Sequence, residues 1–465
     1  MNAYISHTRT SIHGSGEYVT HPAGHPLVIT DVAARQILDS RGFPTVAVTL
    51  RLDDDTVLDA SAPAGASTGA FEAVELRDGG PAFGGRGVRS AVAAVDGEIR
   101  ALLLEHSWTS LREIDEALRA LDGTANLARL GANSVVAVSI AAARAFAART
   151  GLPLHRWIAD HTGATASLPV PHFNVINGGA HAANGLDFQE FMIAPVSAGT
   201  EEEAVQIGAE IYHALAARVR TAYGTSGLGD EGGFAPPIDR PEDALDLLVA
   251  AITDAGYQPG TSDIAIAMDP AANGFFHGDG HYTVAGTDLD RDALARYYEK
   301  LIADYPIRSI EDGFAEDDHE GWALLAHTIS DRVQLVGDDL YVTDADRIRD
   351  GARNGYSNAA LIKPNQIGTV TGTLDAIAAA HDAGMRCMVS HRSGETLDTF
   401  IADLSVGTGV GQIKSGAPAR GERVAKYNRL VDLEHLDPTL HYGLTRSLMV
   451  WARRAQPSWS SSAKP

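Results

Sequence analysis

Cysteine is almost missing from this 465-residue chain: Cys387 stands alone, which excludes an intrachain disulfide and any metal site built from cysteines. Basic residues are in short supply as well. The 37 Lys and Arg against 60 Asp and Glu leave a formal charge of -23, the wrong sign for a surface that binds nucleic acid or anionic lipid. No apolar run approaches the roughly 20 residues that a membrane helix needs. The opening segment MNAYISHTRTSIHGSGEYVTHPAGHPL lacks the apolar stretch of a secretory signal. The expected setting is cytoplasmic, with no nucleic-acid partner and no membrane insertion. Residues 1–27 read as a disordered polar leader whose His13, His21 and His25 are solvated, and 451–465 as a flexible tail.

What is present falls into two patterns. From Val28, TVAVTLRLDDDTVLDASAP alternates with period two on either side of Asp53-Asp54-Asp55 and reads as a hairpin. Three helical stretches follow: VRSAVAAVDGEIRALLLE, SLREIDEALRAL and ANSVVAVSIAAARAFAART. The last is apolar on nearly all sides and is expected to be buried. Strands followed by helices point to a small α+β domain over 28–160. From about Leu168 short apolar runs alternate with amphipathic helices, and six runs end on a polar residue: Asp269, Glu311, Asp338, Lys363, His391 and Lys414. They succeed one another at close to the ~30 residues that a (β/α)8 barrel allots to each strand-helix unit. A catalytic barrel over 161–450 is therefore expected, with chemistry at the carboxyl ends of its strands.

Asp269, Glu311 and Asp338 on neighbouring strand ends would repel unless a cation sits among them, and all-oxygen ligation favours magnesium. Lys363, His391 and Lys414 complete the ring with donors or bases. Arg392 and Ser393, a planar guanidinium beside a hydroxyl, suit a phosphoryl group. NGGAHAANGLDFQEFMIAP sets His181, Gln189 and Glu190 around a glycine-rich turn, and GLGDEGGFAP sets Asp230-Glu231 between glycines where backbone can approach a ligand. APAGASTGAFEAVELRD, small and flexible around Ser67 and Thr68, suits a closing lid.

Taken together, DSRGFPTV, APAGASTG, NVINGGAHAAN, QEFMIAP, GDEGGFAP, SIEDGFAEDD, LVGDDL, LIKPNQIGT, SHRSGET and GQIKSGAPARGERVAKYN resemble the motifs of the enolase family, in the family's order, from about Val28 to Leu433. The resemblance implies a barrel of the enolase type with an N-terminal α+β capping domain. It implies reversible dehydration of 2-phosphoglycerate, a phosphorylated small acid, to phosphoenolpyruvate, with two Mg2+ per site. By the same resemblance, Asp269, Glu311 and Asp338 match ligands of the first magnesium, and Ser67 matches a residue that helps hold the second. Lys414 matches the base at C2, with Lys363 beside it. Glu231 matches the acid that protonates the departing hydroxyl, with Glu190 its neighbour. His181, Gln189 and His391 match pocket residues, and Arg392 with Ser393 the phosphate site. The chemistry requires a neutral Lys414, its pKa depressed by nearby cations, and a Glu231 that holds a proton near neutrality.

Phe43, Ala64, Phe71, Ala180 and Asn273-Gly274 depart from the family pattern and bear on lid closure, substrate fit and turnover. They keep two alternatives in view: a paralogue forming an enolate from a related phosphorylated or phosphonylated three-carbon acid, and a non-catalytic binding protein on the same fold. The resemblance implies a homo-oligomer, dimeric or octameric. Arg35 and Glu422 match one pair of interface charges, whereas Ala47 stands where an acid would face Arg420, so a weakened, salt-sensitive dimer is expected.

Overall fold

The computed structural model describes residues 26–65, 69–224 and 227–444. Most of the expected leader, Ser67 of the expected lid, and the tail lie outside the described residues. Leu27 is buried and bridges to Trp108.

Three antiparallel strands open the fold: β1 (Ile29–Leu38), β2 (Pro44–Leu52) and β3 (Val57–Ser61). The hairpin expected around Asp53-Asp54-Asp55 is the β2–β3 pair. The helical run Arg89–Ala94, Val95–Ile99 and Arg100–Glu105 is continuous, with a π turn in its middle segment. Helix Leu111–Asp122 starts where Ser110 accepts the N–H of Glu113 and stops where Gly123 takes the left-handed conformation at φ 71. In helix Ala132–Thr150, 15 of 19 residues are buried, because it is sandwiched between the sheet and the barrel. Its alanines let both neighbours approach closely. No single helix among the described residues is long and apolar enough to cross a membrane.

The expected eight-stranded barrel closes. Its strands are β4 (Val170–Asn177), β5 (Glu190–Pro195) and β6 (Ile264–Asp269), then, after a small sheet of β7 (Phe276–Gly278), β8 (His281–Val284) and β9 (Thr287–Asp290), β10 (Ile307–Glu311), β11 (Gln334–Gly337), β12 (Ala359–Ile362), β13 (Arg386–Ser390) and β14 (Gln412–Lys414). Around the barrel the order is β10-β11-β12-β13-β14-β4-β5-β6.

One strand departs from strict β/α alternation. β5 runs antiparallel to both β4 and β6, whereas every other pairing in the barrel is parallel. The β4–β5 connection holds only the short turn Gly179–His181, which is not the helical crossover that a parallel strand requires. Two helices, Glu201–Tyr223 and Pro241–Asp254, then follow in succession before β6. Because β5 is reversed, its first residue lies at the barrel end where the other strands finish. Glu190 is paired in register with Asn177 and Asp269.

The cap domain lies across that end. Ala64 and Gly394 exchange backbone hydrogen bonds of 2.7 and 2.8 Å. A Cβ on Gly394 would stand 2.4 Å from Asp39 Oδ2 and 2.8 Å from the Ala64 carbonyl, so the approach requires glycine. Arg144 makes a two-pronged ion pair with Asp398 at 2.7 and 2.8 Å, tying cap to barrel a second time.

Candidate active site at the carboxyl ends of the barrel strands

All six expected residues fall where the barrel strands end. Asp269, Glu311 and Lys414 are the last residues of β6, β10 and β14, and Asp338, Lys363 and His391 each follow their strand by one. A cavity of about 510 Å3 opens there. Every residue expected from the sequence lines it except Glu311, buried just behind the lining, and Ser67, outside the described residues. The lining carries eight carboxylates (Glu72, Asp187, Glu190, Glu231, Asp269, Asp312, Asp338, Asp339) against three permanent cations, Lys363, Arg392 and Lys414. An anionic substrate could not enter such a cavity without added positive charge.

Lys414 is the electrostatic centre. Its Nζ donates to Glu311 Oε1 at 2.8 Å, Glu190 Oε2 at 3.2 Å and Asp269 Oδ2 at 3.4 Å. Burial pushes its pKa down, but these carboxylates outweigh burial and hold the ammonium well above its ordinary value. Lys363 Nζ is paired with Asp338 Oδ2, and again the carboxylate overcomes burial and raises the lysine. Asp338 is correspondingly lowered: burial works against it, and Lys363 and Lys414 prevail. Glu311 is pushed well above the carboxylate range, by burial first and by Asp269 second.

Two lysines divide the three acids, Lys414 meeting Asp269 and Glu311 while Lys363 meets Asp338. Lys414 is not depressed by the protein's own groups, since its nearest neighbours are anions. The donor set nevertheless fits a hard divalent cation. All three carboxylates are buried, and Glu311 Oε2 has no hydrogen-bond partner in the protein.

Glu231 faces the same cavity from the glycine-flanked loop after helix Glu201–Tyr223. A Cβ on Gly233 would lie 2.8 Å from Asn177 Oδ1, so the glycine lets the loop press against β4. Glu231 Oε2 accepts from Asn174 Nδ2 at 2.8 Å and lies 3.3 Å from His391 Nε2, while its Oε1 is 3.6 Å from His181 Nδ1. The guanidinium of Arg423, always a donor, meets His391 Nδ1 at 2.6 Å. Nδ1 must therefore accept, which places the imidazole proton on Nε2, toward Glu231. Burial lowers His391 to about 4, against the pull of Glu231 and with Arg423 acting in the same direction as burial.

The proton balance of the acid pair also differs from expectation. Burial pushes Glu231 up, but His391, His181 and Arg423 outweigh it and hold this carboxyl well below the usual range. Glu190 is pushed well above that range by burial first and Glu231 second. His181, Glu190 and Glu231 gather within 4.8 Å, so the two carboxyl groups titrate as a coupled pair.

Arg392 makes a fork to Glu72, Nη1 to Oε2 at 2.8 Å and Nη2 to Oε1 at 3.2 Å. Ser393 Oγ accepts from Arg41 at 3.3 Å, and Gln189 lines the cavity beside Glu190. Sequence reasoning missed Glu72, Asn174, Gln366, Arg423, Asp312 and Asp339. Asp312 and Asp339 directly follow two residues that were found, and adjacency was the available signal. Asp312 accepts the backbone N–H groups of Asp338 and Asp339 at 2.8 and 2.9 Å and so shapes that strand end. Burial and Asp338 raise Asp339 to about 7. Of the departures from the family pattern, Ala180, Asn273 and Gly274 line the cavity. Phe43 lies under Arg86 at 4.2 Å, and Phe71, 56% exposed, lies under Arg347 at 3.5 Å.

The fold and the site define a barrel enzyme whose buried strand-end acids could hold a metal ion. The model described as "Enolase, N-terminal domain" matches residues 29–158, and "Enolase, C-terminal TIM barrel domain" matches 165–443. A protein named Enolase from Acidothermus cellulolyticus is 53% identical over 417 residues, covering 89% of this chain and 96% of that protein. The chain belongs to the enolase family.

Proposed function

We propose that the chain is a phosphopyruvate hydratase, a lyase that reversibly dehydrates 2-phosphoglycerate to phosphoenolpyruvate, and that the residues of this cavity carry the reaction. The observation that carries the reading is the meeting of Lys414 with Glu190, Asp269 and Glu311 within 3.4 Å at one point of the cavity. A base and two metal-ligand candidates thus converge where a substrate carboxylate and its α-proton would lie. The family's metal requirement fits Asp269, Glu311 and Asp338 as ligands of a first magnesium. Ser67, outside the described residues, is proposed toward a second. Bound there, magnesium would stabilise negative charge developing on the substrate carboxylate and offset the anionic field that keeps Lys414 protonated.

Lys414, once neutral, takes the proton from C2, and Lys363 stands by as a second cation against the carboxylate. On the hydroxyl side a proton must reach the leaving oxygen. Glu231 is the proposed donor, with Glu190 and His181 gathered beside it in the same pocket. His391, fixed by Arg423 as the Nε2–H tautomer, faces Glu231 at 3.3 Å, and Asn174 holds that carboxyl by a hydrogen bond. Arg392 and Ser393 receive the phosphoryl group, and Gln189 fills the wall beside Glu190. Cytoplasmic residence and a homodimer belong to the same proposal. Steady-state turnover of 2-phosphoglycerate and of phosphoenolpyruvate, with magnesium and with chelator, tests it. Absence of turnover in both directions with magnesium present would overturn the reading.

A further inference from the structure

Glu72 is a buried acid that the proposed reaction does not use. Its carboxylate joins three parts of the molecule. Oε2 accepts from Arg392 Nη1 at 2.8 Å, and Oε1 accepts from Arg392 Nη2 at 3.2 Å, the Gly69 backbone N–H at 3.1 Å and Gln366 Nε2 at 3.3 Å. Gln366 also donates to Asp338 Oδ1 at 2.8 Å. The orientation of that amide is fixed from behind. Thr343 Oγ1 accepts the Lys363 backbone N–H at 2.9 Å and therefore gives its own proton to Gln366 Oε1, 2.6 Å away. The segment bearing Glu72 is pinned to the barrel, since the Ala73 N–H reaches the Gln366 carbonyl at 2.8 Å and the Ala70 N–H reaches Glu316 at 3.3 Å.

From this network we infer that Glu72 is a positioning residue that sets the plane of Arg392 for the substrate's phosphoryl group and links the glycine-rich arm at Gly69 to that anion site. The inference rests on the reading of Arg392 as the phosphoryl receptor. A guanidinium that meets a carboxylate through two parallel N–H bonds loses rotation about its last torsions, so it need not be ordered when the substrate arrives. Asn365 Oδ1, at 3.1 Å from Arg392 Nη1, braces the same edge. The Gly69 N–H and Arg392 thus share Glu72 as acceptor, and Glu72 in turn shares the Gln366 amide as donor with Asp338, a proposed metal ligand.

The test is a double-mutant cycle on the magnesium-loaded enzyme with Glu72→Gln, Arg392→Lys and both together. KM and kcat for 2-phosphoglycerate and inhibition by inorganic phosphate are the readouts. Losing one charge-assisted contact predicts that Glu72→Gln raises KM and weakens phosphate inhibition by about tenfold, with kcat changing less than KM. In the Arg392→Lys background, Glu72→Gln should add little, because a residue that acts through Arg392 has nothing left to act on. Additive effects, a KM equal to that of the wild type, or tighter phosphate binding in Glu72→Gln would each overturn the inference. Tighter binding would mark Glu72 as a competitor of phosphate. An Arg392→Lys variant with wild-type KM and phosphate inhibition would overturn the phosphoryl-receptor reading itself. Should Glu72→Gln not fold, Glu72→Asp, which keeps the charge but shortens the reach, must show the same KM shift in a milder form and the same non-additivity.

Discussion

Replacing Lys414 by Met removes the ammonium but keeps most of the side-chain volume. Its Nζ is shared by Glu311, Glu190 and Asp269 at 2.8, 3.2 and 3.4 Å, all buried, so the variant strands three acids in a low-dielectric interior. Breaking a buried ion pair from one side costs about 3–5 kcal/mol. At roughly 2 °C per kcal/mol for a chain larger than 250 residues, the metal-free variant should melt on the order of 6–10 °C lower. Glu190 and Glu311 already sit well above the carboxylate range and will take up protons in the variant, so the deficit should shrink in mildly acidic buffer. Magnesium should then stabilise the variant more than the wild type, because the cation no longer competes with an ammonium for Asp269 and Glu311. A ligand at a hundred times its Kd adds ~2.7 kcal/mol. Calorimetry in chelator and in a magnesium series gives all three quantities. A metal-free variant that melts with the wild type, or equal magnesium shifts in the two proteins, would refute this account of the lysine.

Three further outcomes follow from the site and the assembly. Lys414→Ala should abolish exchange of the C2 proton of 2-phosphoglycerate with deuterated solvent, whereas Glu231→Gln should slow loss of the hydroxyl and retain exchange; equal loss in both would deny Glu231 its role as leaving-group acid. Glu190 and Glu311 have folded pKa values above their unfolded ones, and Asp339 is raised to about 7, so the stability they contribute is present below the ordinary carboxylate range and lost as pH rises through the elevated values. His391 and His172, lowered to about 4, act in the opposite sense below about pH 6.5, so melting of the chelated protein should fall between about pH 6.5 and pH 8, and a flat or rising profile there would contradict those shifts. Arg35 is half exposed and pairs only loosely with Asp59, at 3.4 Å in its own chain, leaving it available to a second subunit. Sedimentation should show a dimer that weakens with salt and with Arg35→Ala, and indifference to both would remove Arg35 from the interface.

The barrel and most of its chemistry were legible because strand ends are marked twice, by an apolar run that stops and by the charged residue that stops it. Asp269, Glu311, Asp338, Lys363, His391 and Lys414 all carried that mark. The reversal of β5 did not, since an apolar run reads the same in either direction. The signal lay in the connection, where residues 178–189 offer glycines and no amphipathic helix. Glu72 and Arg423 were missed because their importance is a matter of distant partners: Glu72 meets Arg392 across 320 positions, and Arg423 meets His391 across 32. The directions in which the protein's own groups push Lys414 and Glu231 were not legible in the sequence, for a related reason. A pKa depends on which neighbours are nearest, and a motif names the neighbours without ranking their distances.

The pairing of β14 with β4 has a consequence for how the molecule comes into being. Lys414 is aligned with His172 across that seam, the last barrel strand meeting the first after more than two hundred intervening residues. A chain emerging from the ribosome has β4 through β13 in hand, with most of its acids exposed, before the strand that carries Lys414 exists. Until that strand arrives the barrel has two open edges, and Glu190, Asp269 and Glu311 have no ammonium among them. One short strand, Gln412–Lys414, therefore closes the sheet, brings an ammonium to three of the buried acids and delivers the proposed base in a single event. A partly made molecule can have none of the three.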